Sequence, residues 1–293
     1  MTTRRPLSNS IQRRDFIRTT GLAAGALATG FPAIISARSL SNSLKVGLVG
    51  CGGRGSGAAA QALIADENAV LTAVADIDTP IVERAKTRLK GSARFGDRVQ
   101  IDRAAAGLDA FDEVINSDVD VVLLAAPPGF RPQHLTASVA AGKHIFCEKP
   151  AATDSPGIRE VIAAQKASQQ KGVALVSGFC WRYNNMIEDA MAQVHGGAIG
   201  RPVAHYSTYY TNPVKPMPPE DTRPAGMSDV EWQVRNWYNF VWLSGDSIVE
   251  QAVHNTDKIM WVVKDTPPIS AVATGGRAVP AHGGNIYDHF SVN

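Results

Sequence analysis

The stretch Leu44-Lys45-Val46-Gly47-Leu48-Val49-Gly50-Cys51-Gly52-Gly53-Arg54-Gly55 decides the fold. A short apolar run ends in glycines, and a small-residue helix pattern over Ser56–Ile64 follows, so strand, glycine turn and helix form the first half of a βαβ unit. Gly50, Gly52 and Gly55 fit G-x-G-x-x-G. The first permits a tight turn, the second lets a pyrophosphate approach the backbone, and the third lets helix and strand pack closely. Amides at the helix N-terminus then hold phosphates, which brings Gly53 and Arg54 into the same expected site. Asp76 ends the next strand about 20 residues past the last glycine, where a carboxylate accepts from the adenosine ribose hydroxyls. It would repel a 2′-phosphate, which favours NAD over NADP. Glycines alone also make ordinary turns, and Asp76 or Asp78 alone would serve as a cap for a helix starting at Thr79-Pro80; the combination points to a dinucleotide.

The alternation continues downstream. Val70–Ala75 reads as a strand, Pro80–Leu89 as a helix, Asp120–Ala125 as a continuously apolar strand, Gln133–Ala141 as a helix and His144–Cys147 as a strand. Continuous apolar runs suit a parallel sheet covered on both faces. Residues 44–150 are therefore expected to form an N-terminal Rossmann domain with a doubly wound parallel sheet. Residues 151–293 read as a second α/β domain. Its expected helices are Ser155–Gln170, with Asp154 as N-cap, Asn184–Val194, stopped by Gly196-Gly197, and Ile248–Val263; its expected strands are Val173–Ser177, Val203–Tyr210, Ile269–Thr274 and Ile286–Val292. No internal repeat or low-complexity tract is present. The last strand stops at Asn293 without a closing turn, and the chain is expected to be cut short there.

With 44% hydrophobic and 19% charged residues over 293 positions, the composition is that of a globular protein able to bury a core. The formal net charge is +2, and Met1–Ala37 holds five arginines against Asp15, so the remainder is weakly acidic. That balance gives no electrostatic footprint for nucleic acid. Arg13-Arg14-Asp15-Phe16-Ile17-Arg18, followed by the uncharged, Ala- and Gly-rich stretch Thr19–Ala37, has the layout of a twin-arginine (Tat) export signal. A transmembrane anchor needs about 20 strongly apolar residues, and glycines, threonines and Pro32 dilute this stretch. Residues 1–43 are expected to be a signal and linker that engages the Tat translocase and directs the chain to the periplasm, with no stable membrane span after processing. Cys51, Cys147 and Cys180 read as small buried apolar residues rather than a disulfide framework. Neither they nor His195, His205, His282 and His289 show metal-ligand spacing, so no metal site is expected.

Lys143-His144-Ile145-Phe146-Cys147-Glu148-Lys149-Pro150 sets a Glu-Lys-Pro tripeptide at the carboxyl end of a parallel strand, the edge where doubly wound sheets bind ligands. Pro150 ends the strand and stiffens the backbone, so Lys149 is held over the crevice. Glu250 and His254 are four apart in the expected helix and so share a face, with Asp257 three beyond. A histidine beside a carboxylate is a tunable proton acceptor near neutral pH. A lone Glu/His pair reads as a salt-linked surface helix; Lys149 as a third partner turns the reading toward catalysis. Arg182, Tyr183, Tyr209, Trp237, Tyr238 and Trp242 offer the aromatic, hydrogen-bonding lining that sugars favour, although aromatics on strands usually serve packing. His134 and His144, taken singly, read as structural.

The Gly50–Gly55 fingerprint, the Ala126-Pro127 turn, His134 in the following helix, Ala141-Gly142-Lys143-His144 and Glu148-Lys149-Pro150, in that order, resemble the Gfo/Idh/MocA family (glucose-fructose oxidoreductase, inositol dehydrogenase and MocA) from about Leu44 to the final residue. The run from Arg235-Asn236-Trp237-Tyr238 to Ser244-Gly245-Asp246, with Val249–Asp257, is similar to its exported branch. The resemblance implies a Rossmann domain followed by an α/β domain with an open, mainly antiparallel sheet, incomplete here. It also implies an NAD cofactor, a sugar or polyol substrate, and a homo-oligomer for a full-length relative. It sets Pro127, His134, Glu148 and Lys149 beside the cofactor and puts the family's lysine, acidic residue and histidine around the nicotinamide on Lys149, Glu250 and His254. Arg182, Tyr183, Trp237 and Asp257 fall toward the substrate. The usual family pattern has aspartate where this chain has Glu250, and the extra methylene moves the carboxylate.

The expected chemistry has His254 take the proton of a substrate hydroxyl while the carbon's hydride passes to nicotinamide. Lys149 positions and polarises the oxygen, and Glu250 orients His254 or tunes its charge. Export of a folded protein, with no NAD pool outside to reoxidise its cofactor, points to a retained cofactor in a closed cycle. That cycle is either paired sugar oxidation and reduction or redox-neutral glycoside cleavage through transient C3 oxidation. A catalytically silent nucleotide-binding fragment is the rival class.

Overall fold

The computed structural model describes residues 43–279 and 283–293, so the twin-arginine segment and His282 lie outside the described residues. All that follows concerns the compact unit Asn42–Asn293. In chain order its first half consists of β1 (Leu44–Val49), α1 (Gly53–Ala65), β2 (Ala69–Asp76), α2 (Thr79–Lys90), β3 (Val99–Ala106), α3 (Ala110–Ile115), β4 (Val121–Leu124), α4 (Arg131–Ala140), β5 (His144–Cys147), α5 (Ser155–Lys171) and β6 (Leu175–Ser177). The strands form one parallel sheet in the order β3-β2-β1-β4-β5-β6. The chain starts at the centre and winds outward in both directions, so a crevice opens beyond the carboxyl ends of β1 and β4, where the winding reverses.

The central strands read as unbroken apolar runs because helices cover both faces. On one face Leu48, Leu71 and Val74 pack with Ala59 and Leu63 of α1 and with Val82 and Leu89 of α2. On the other, Val49, Ala73, Val122 and Leu124 pack with Phe111 and Val114 of α3 and with Leu135 and Val139 of α4. Neither β3 nor α3 was expected. β3 is an edge strand, mostly exposed beyond Val99 and carrying Asp102 and Arg103, so it lacks the apolar signature of its neighbours. The six residues of α3 are too few to show a helical period.

α5 begins as expected, with Asp154 accepting from the Gly157 N–H, and ends on Gly172 in the left-handed conformation. It acts as a crossover helix, returning the chain so that β6 pairs parallel to β5. The Rossmann sheet therefore runs on to Ser177, past the boundary at residue 150 read from sequence.

Beyond it lie α6 (Asn185–His195), α7 (Asp229–Arg235), α8 (Val241–Ser244), α9 (Asp246–Glu250) and α10 (Val253–Val262), then an antiparallel pair, β7 (Ala273–Gly276) and β8 (His289–Val292). The expected open antiparallel sheet is thus represented by two strands among the described residues. Val203–Tyr210 forms no paired strand, with Tyr206 and Tyr210 both exposed, because β-branched and aromatic residues favour a ladder only where a neighbour accepts their backbone hydrogen bonds. The single helix expected over Ile248–Val263 is broken: the N–H groups of Gln251 and Ala252 both turn back to the Ser247 carbonyl and close α9 before α10 starts. Cys51 and Cys147 are buried as expected, whereas Cys180 is exposed. Among the described residues no helix is long and apolar enough to cross a membrane.

Leu48 is fully buried in the central strand. Leu48→Ala is expected to lower unfolding stability by about 2–5 kcal/mol, read as a reduced denaturant midpoint with an unchanged slope.

Candidate active site

The glycine turn is shaped by two close approaches. Gly50 has φ +95°, and a Cβ there would sit 2.5 Å from the Ala125 carbonyl carbon and the Ala126 nitrogen, so the loop after β4 runs directly against the turn. A Cβ on Gly55 would lie 1.7 Å from the Gly50 oxygen, which makes a side chain impossible where α1 packs on the turn. Gly52 and Gly53, by contrast, would meet nothing within 4 Å. No side chain caps α1, so its first amides remain unpaired at the positive end of the helix. Asp76, at the end of β2, accepts from the Cys51 N–H at 2.6 Å and from the Ile77 N–H at 2.7 Å. Burial pushes this carboxyl up, and those two N–H bonds pull it back.

Gly50, Gly52, Asp76, Pro127 and His134 line one cavity of about 190 Å³, and Lys215, Val234, Arg235 and Trp237 close it from far along the chain. Open glycine surfaces, free helix-terminal amides and a fixed acceptor fit a dinucleotide. His134 is buried, stacks on Phe111 at 4.2 Å between ring centroids, and leaves Nδ1 without a partner. Burial, with Arg131 nearby, pushes it down to about 4, so it is neutral at pH 7.

At the carboxyl end of β5, buried Glu148 accepts from Arg54 Nε of α1 at 2.6 Å. Arg131, at the start of α4 and 2% exposed, donates to the carbonyls of Glu148 at 2.5 Å and Pro150 at 2.7 Å, and also to that of Ala126. One guanidinium thus ties together the loops that follow β4 and β5. Lys149 lies between the two clamped carbonyls. Its Nζ donates to Glu250 Oε1 at 2.9 Å and to the Glu250 carbonyl, and the two side chains are 13% and 10% exposed. Glu250 Oε2 accepts from Gln251 Nε2 at 2.5 Å, and Gln251 Oε1 accepts from the Tyr209 hydroxyl at 2.8 Å. A polar chain therefore leads from Lys149 outward.

The structure brings Lys149 and Glu250 into contact but does not put Glu250 and His254 on one helical face. Glu250 closes α9, His254 sits in the first turn of α10, and no hydrogen bond joins them. The expected orienting role of Glu250 toward His254 is replaced by a contact with Lys149, because the chain turns between the two residues. His254 Nδ1 has no partner, and the ring meets Phe179 edge-on at 6.4 Å. Burial lowers the His254 pKa below 6.5, the Lys149 and Lys258 charges lower it further, and Asp257 opposes them.

Two expected substrate groups instead satisfy each other: Arg182 Nε donates to both carboxylate oxygens of Asp257, at 3.0 and 3.1 Å, and the guanidinium also pairs with Asp265 and lies over Trp261. Tyr183 is exposed, and Trp237 lines the dinucleotide cavity. The sequence reading missed Arg131, Gln251, Lys215 and Arg235. Arg131 sits inside the stretch that follows Ala126-Pro127, but its partners are backbone carbonyls that carry no sequence signal. Among the described residues no cluster of His, Cys, Asp and Glu is able to hold a metal ion.

A six-stranded parallel sheet in this order, with an open glycine turn and a carboxylate at its switch point, defines a Rossmann protein of the dinucleotide-binding class. Residues 44–179 match the model of the oxidoreductase family with an NAD-binding Rossmann fold, Gfo/Idh/MocA. The inositol 2-dehydrogenase of Acidothermus cellulolyticus is 28% identical over 251 residues, covering 85% of this chain and 62% of that protein. The WlbA dehydrogenase from Bordetella pertussis, in complex with NADH and UDP-GlcNAcA, superposes with a TM-score of 0.62 at 22% identity, over 85% of this chain and 62% of that one. Levoglucosan dehydrogenase, in complex with NADH and levoglucosan, gives a TM-score of 0.62 at 21% identity over 86% and 63%. The chain thus spans less than two thirds of the length of these relatives.

Because His134 is held near 4 in the fold and near 6.5 when unfolded, the unfolded chain binds the extra proton between those values. Stability is fully present above pH 6.5 and falls as pH drops toward 4, by on the order of 3 kcal/mol. Denaturant midpoints at pH 7 and pH 4.5 should show a smaller acid loss for His134→Phe than for the parent; an equal loss would assign the acid sensitivity elsewhere.

Proposed function

We propose that this chain is an NAD-dependent oxidoreductase acting on a hydroxyl of a sugar or polyol. The observation that carries the reading is Lys149, its side chain 13% exposed and held by Glu250 at the same sheet edge as the open glycine turn. Gly52, Gly53 and the first amides of α1 would hold the pyrophosphate and Asp76 the adenosine ribose, with Arg54 beside them. Bound there, NAD would supply a hydride acceptor. The names of the relatives, an inositol and a levoglucosan dehydrogenase among them, support the substrate class.

An ammonium has three N–H donors. In Lys149 two are directed at Glu250, which leaves one for the substrate oxygen. His254, its pKa lowered by burial and by the Lys149 charge, is neutral at pH 7 and able to accept the hydroxyl proton. Lys149 thus orients and polarises the oxygen while His254 removes its proton, and Glu250 positions Lys149. Arg13-Arg14 and the uncharged stretch behind them support export through the twin-arginine route to the periplasm, with the cofactor loaded before the folded protein crosses.

Lys149→Met would leave Glu250 buried without its partner, so Lys149→Met with Glu250→Gln is the variant to compare. On a panel of cyclitols and anhydrosugars, read by NADH fluorescence, it is expected to lose about 10²–10⁴-fold in kcat/KM while binding NADH like the parent. Unchanged turnover would remove Lys149 from the chemistry, and a parent chain that binds NADH but turns over nothing in the panel would support a silent binding protein. Falling pH protonates the base, so the acid limb of kcat/KM should lie below 6.5, the ordinary histidine value. His254→Gln should erase that limb; a limb at or above that value would count against His254 as the base.

A further inference from the structure

We propose that the adenosine end of the site is completed by Lys215 and Arg235, carried on a strap over residues 212–237 that holds the dinucleotide against dissociation. The proposal rests on the dinucleotide reading of the crevice. Neither residue belongs to the glycine turn or to the Lys149 centre, yet both line the same cavity as Asp76 and Gly52.

The strap is latched to the Rossmann half. Arg235 Nη1 meets Asp78 Oδ2 at 2.5 Å across 157 residues of sequence, and the Asp78 side chain is 12% exposed. Asp78 lies two residues past Asp76, so the latch closes beside the ribose acceptor. Arg235 Nε and Nη2 donate to Glu231 Oε1 within α7, at 3.3 and 3.0 Å, which fixes the guanidinium on its own helix. The strap is also tied to itself. Lys215 Nζ donates to the Arg235 carbonyl at 2.5 Å, the Lys215 carbonyl accepts from Asn239 Nδ2 at 3.0 Å, and Met217, Trp232 and Val234 are buried.

The chemistry of the free donors identifies the ligand end. Lys215 has three N–H donors and one protein acceptor, so two donors remain toward the cavity. Burial lowers its pKa and the Asp76 charge opposes that; both groups line the same cavity. A donor and an acceptor lining one cavity match a vicinal diol, whose hydroxyls both give and take hydrogen bonds. Asp76 accepts from the ribose and Lys215 donates to it, from elements 139 positions apart in sequence. Release of the ribose then requires the Arg235–Asp78 contact to open.

The experiment follows NADH leaving the full-length protein after a chase with excess ADP-ribose, by the loss of bound-NADH fluorescence, in the parent, Arg235→Gln, Lys215→Met and a remote control, Lys45→Met. Loss of one charge-assisted contact should speed dissociation by about tenfold or more in each of the first two variants and leave the control unchanged. Lys215→Met removes a single hydrogen bond to the chain and keeps the test available if Arg235→Gln fails to fold. Dissociation within about twofold of the parent in a folded Lys215→Met protein would overturn the strap while leaving the dinucleotide reading intact. A parent chain that binds no NADH would overturn both.

Discussion

A guanidinium sealed from water holds the working edge of this sheet. The strands are parallel, so every carboxyl end opens on the same side and the loops after β4 and β5 leave buried carbonyls that no ladder partner satisfies. Arg131 supplies the missing donors to three of them, at Ala126, Glu148 and Pro150. Burial pulls its pKa down, opposed by the neighbouring acidic groups of Cys147, Glu148 and Glu250. A buried cation is tolerated when its donors are hydrogen-bonded. The consequence is local: Lys149 is flanked on both sides by clamped carbonyls, so its backbone has little freedom to drift from the crevice. Ala126, the third anchor, borders the glycine turn through its contact with Gly50, so one side chain sets the spacing between the phosphate-side turn and the reactive amine.

The second constraint is the ion pair built on that edge. Lys149 and Glu250 stand 101 residues apart, and both are largely withdrawn from solvent. A buried pair is weak as a source of stability but strongly penalised when one partner is lost, because the survivor remains charged and dry. The pair therefore fixes where α9 sits relative to β5 more than it adds to stability. It also divides the electrostatics. The Lys149 charge lowers the pKa of His254, so the imidazole stays a base, while Glu250 faces the amine instead of the imidazole. Had the carboxylate paired with His254, it would have raised that pKa and weakened the base at low pH. The longer side chain of glutamate and the turn at Gln251 and Ala252 have the same outcome: the acid serves the amine.

How much of this was legible in the sequence follows from how local each signal is. The glycine turn, the Asp154 cap and the unbroken apolar strands depend on neighbours within a few residues, and the Rossmann half follows from them. β3 escaped because an edge strand needs one apolar face at most, and Val203–Tyr210 misled because strand propensity without a partner builds no ladder. The Glu250 and His254 spacing predicted a shared face only while the helix was continuous. Polar partners were the least legible feature: Arg182 and Asp257 both suit a sugar, yet they meet each other, and no spacing in the chain announces a pair 75 residues apart. Lys149 was legible for the opposite reason, since its place at the end of a strand is a local fact.

Charge balance along the crevice completes the argument. At one end Asp76 faces the same cavity as Lys215; at the other Lys149 is matched by Glu250. Each end therefore sets a cation and a carboxylate near one another and presents hydrogen-bonding groups, which suits the hydroxyls of a ribose and of a polyol. Between them lie the unpaired amides at the start of α1 and Arg54, which is half-exposed and shared with Glu148. The positive potential is concentrated at the helix terminus, where a pyrophosphate would need it. A ligand with negative charge at its middle and neutral polar groups at both ends matches that profile. A ligand with a phosphate at the ribose end meets Asp76, whose two N–H bonds hold it in place and favour its charged form against the penalty of burial. The proposed preference for NAD over NADP rests on the same backbone geometry that shapes the glycine turn, because the Cys51 amide in that turn is one of the two groups that fix the carboxylate.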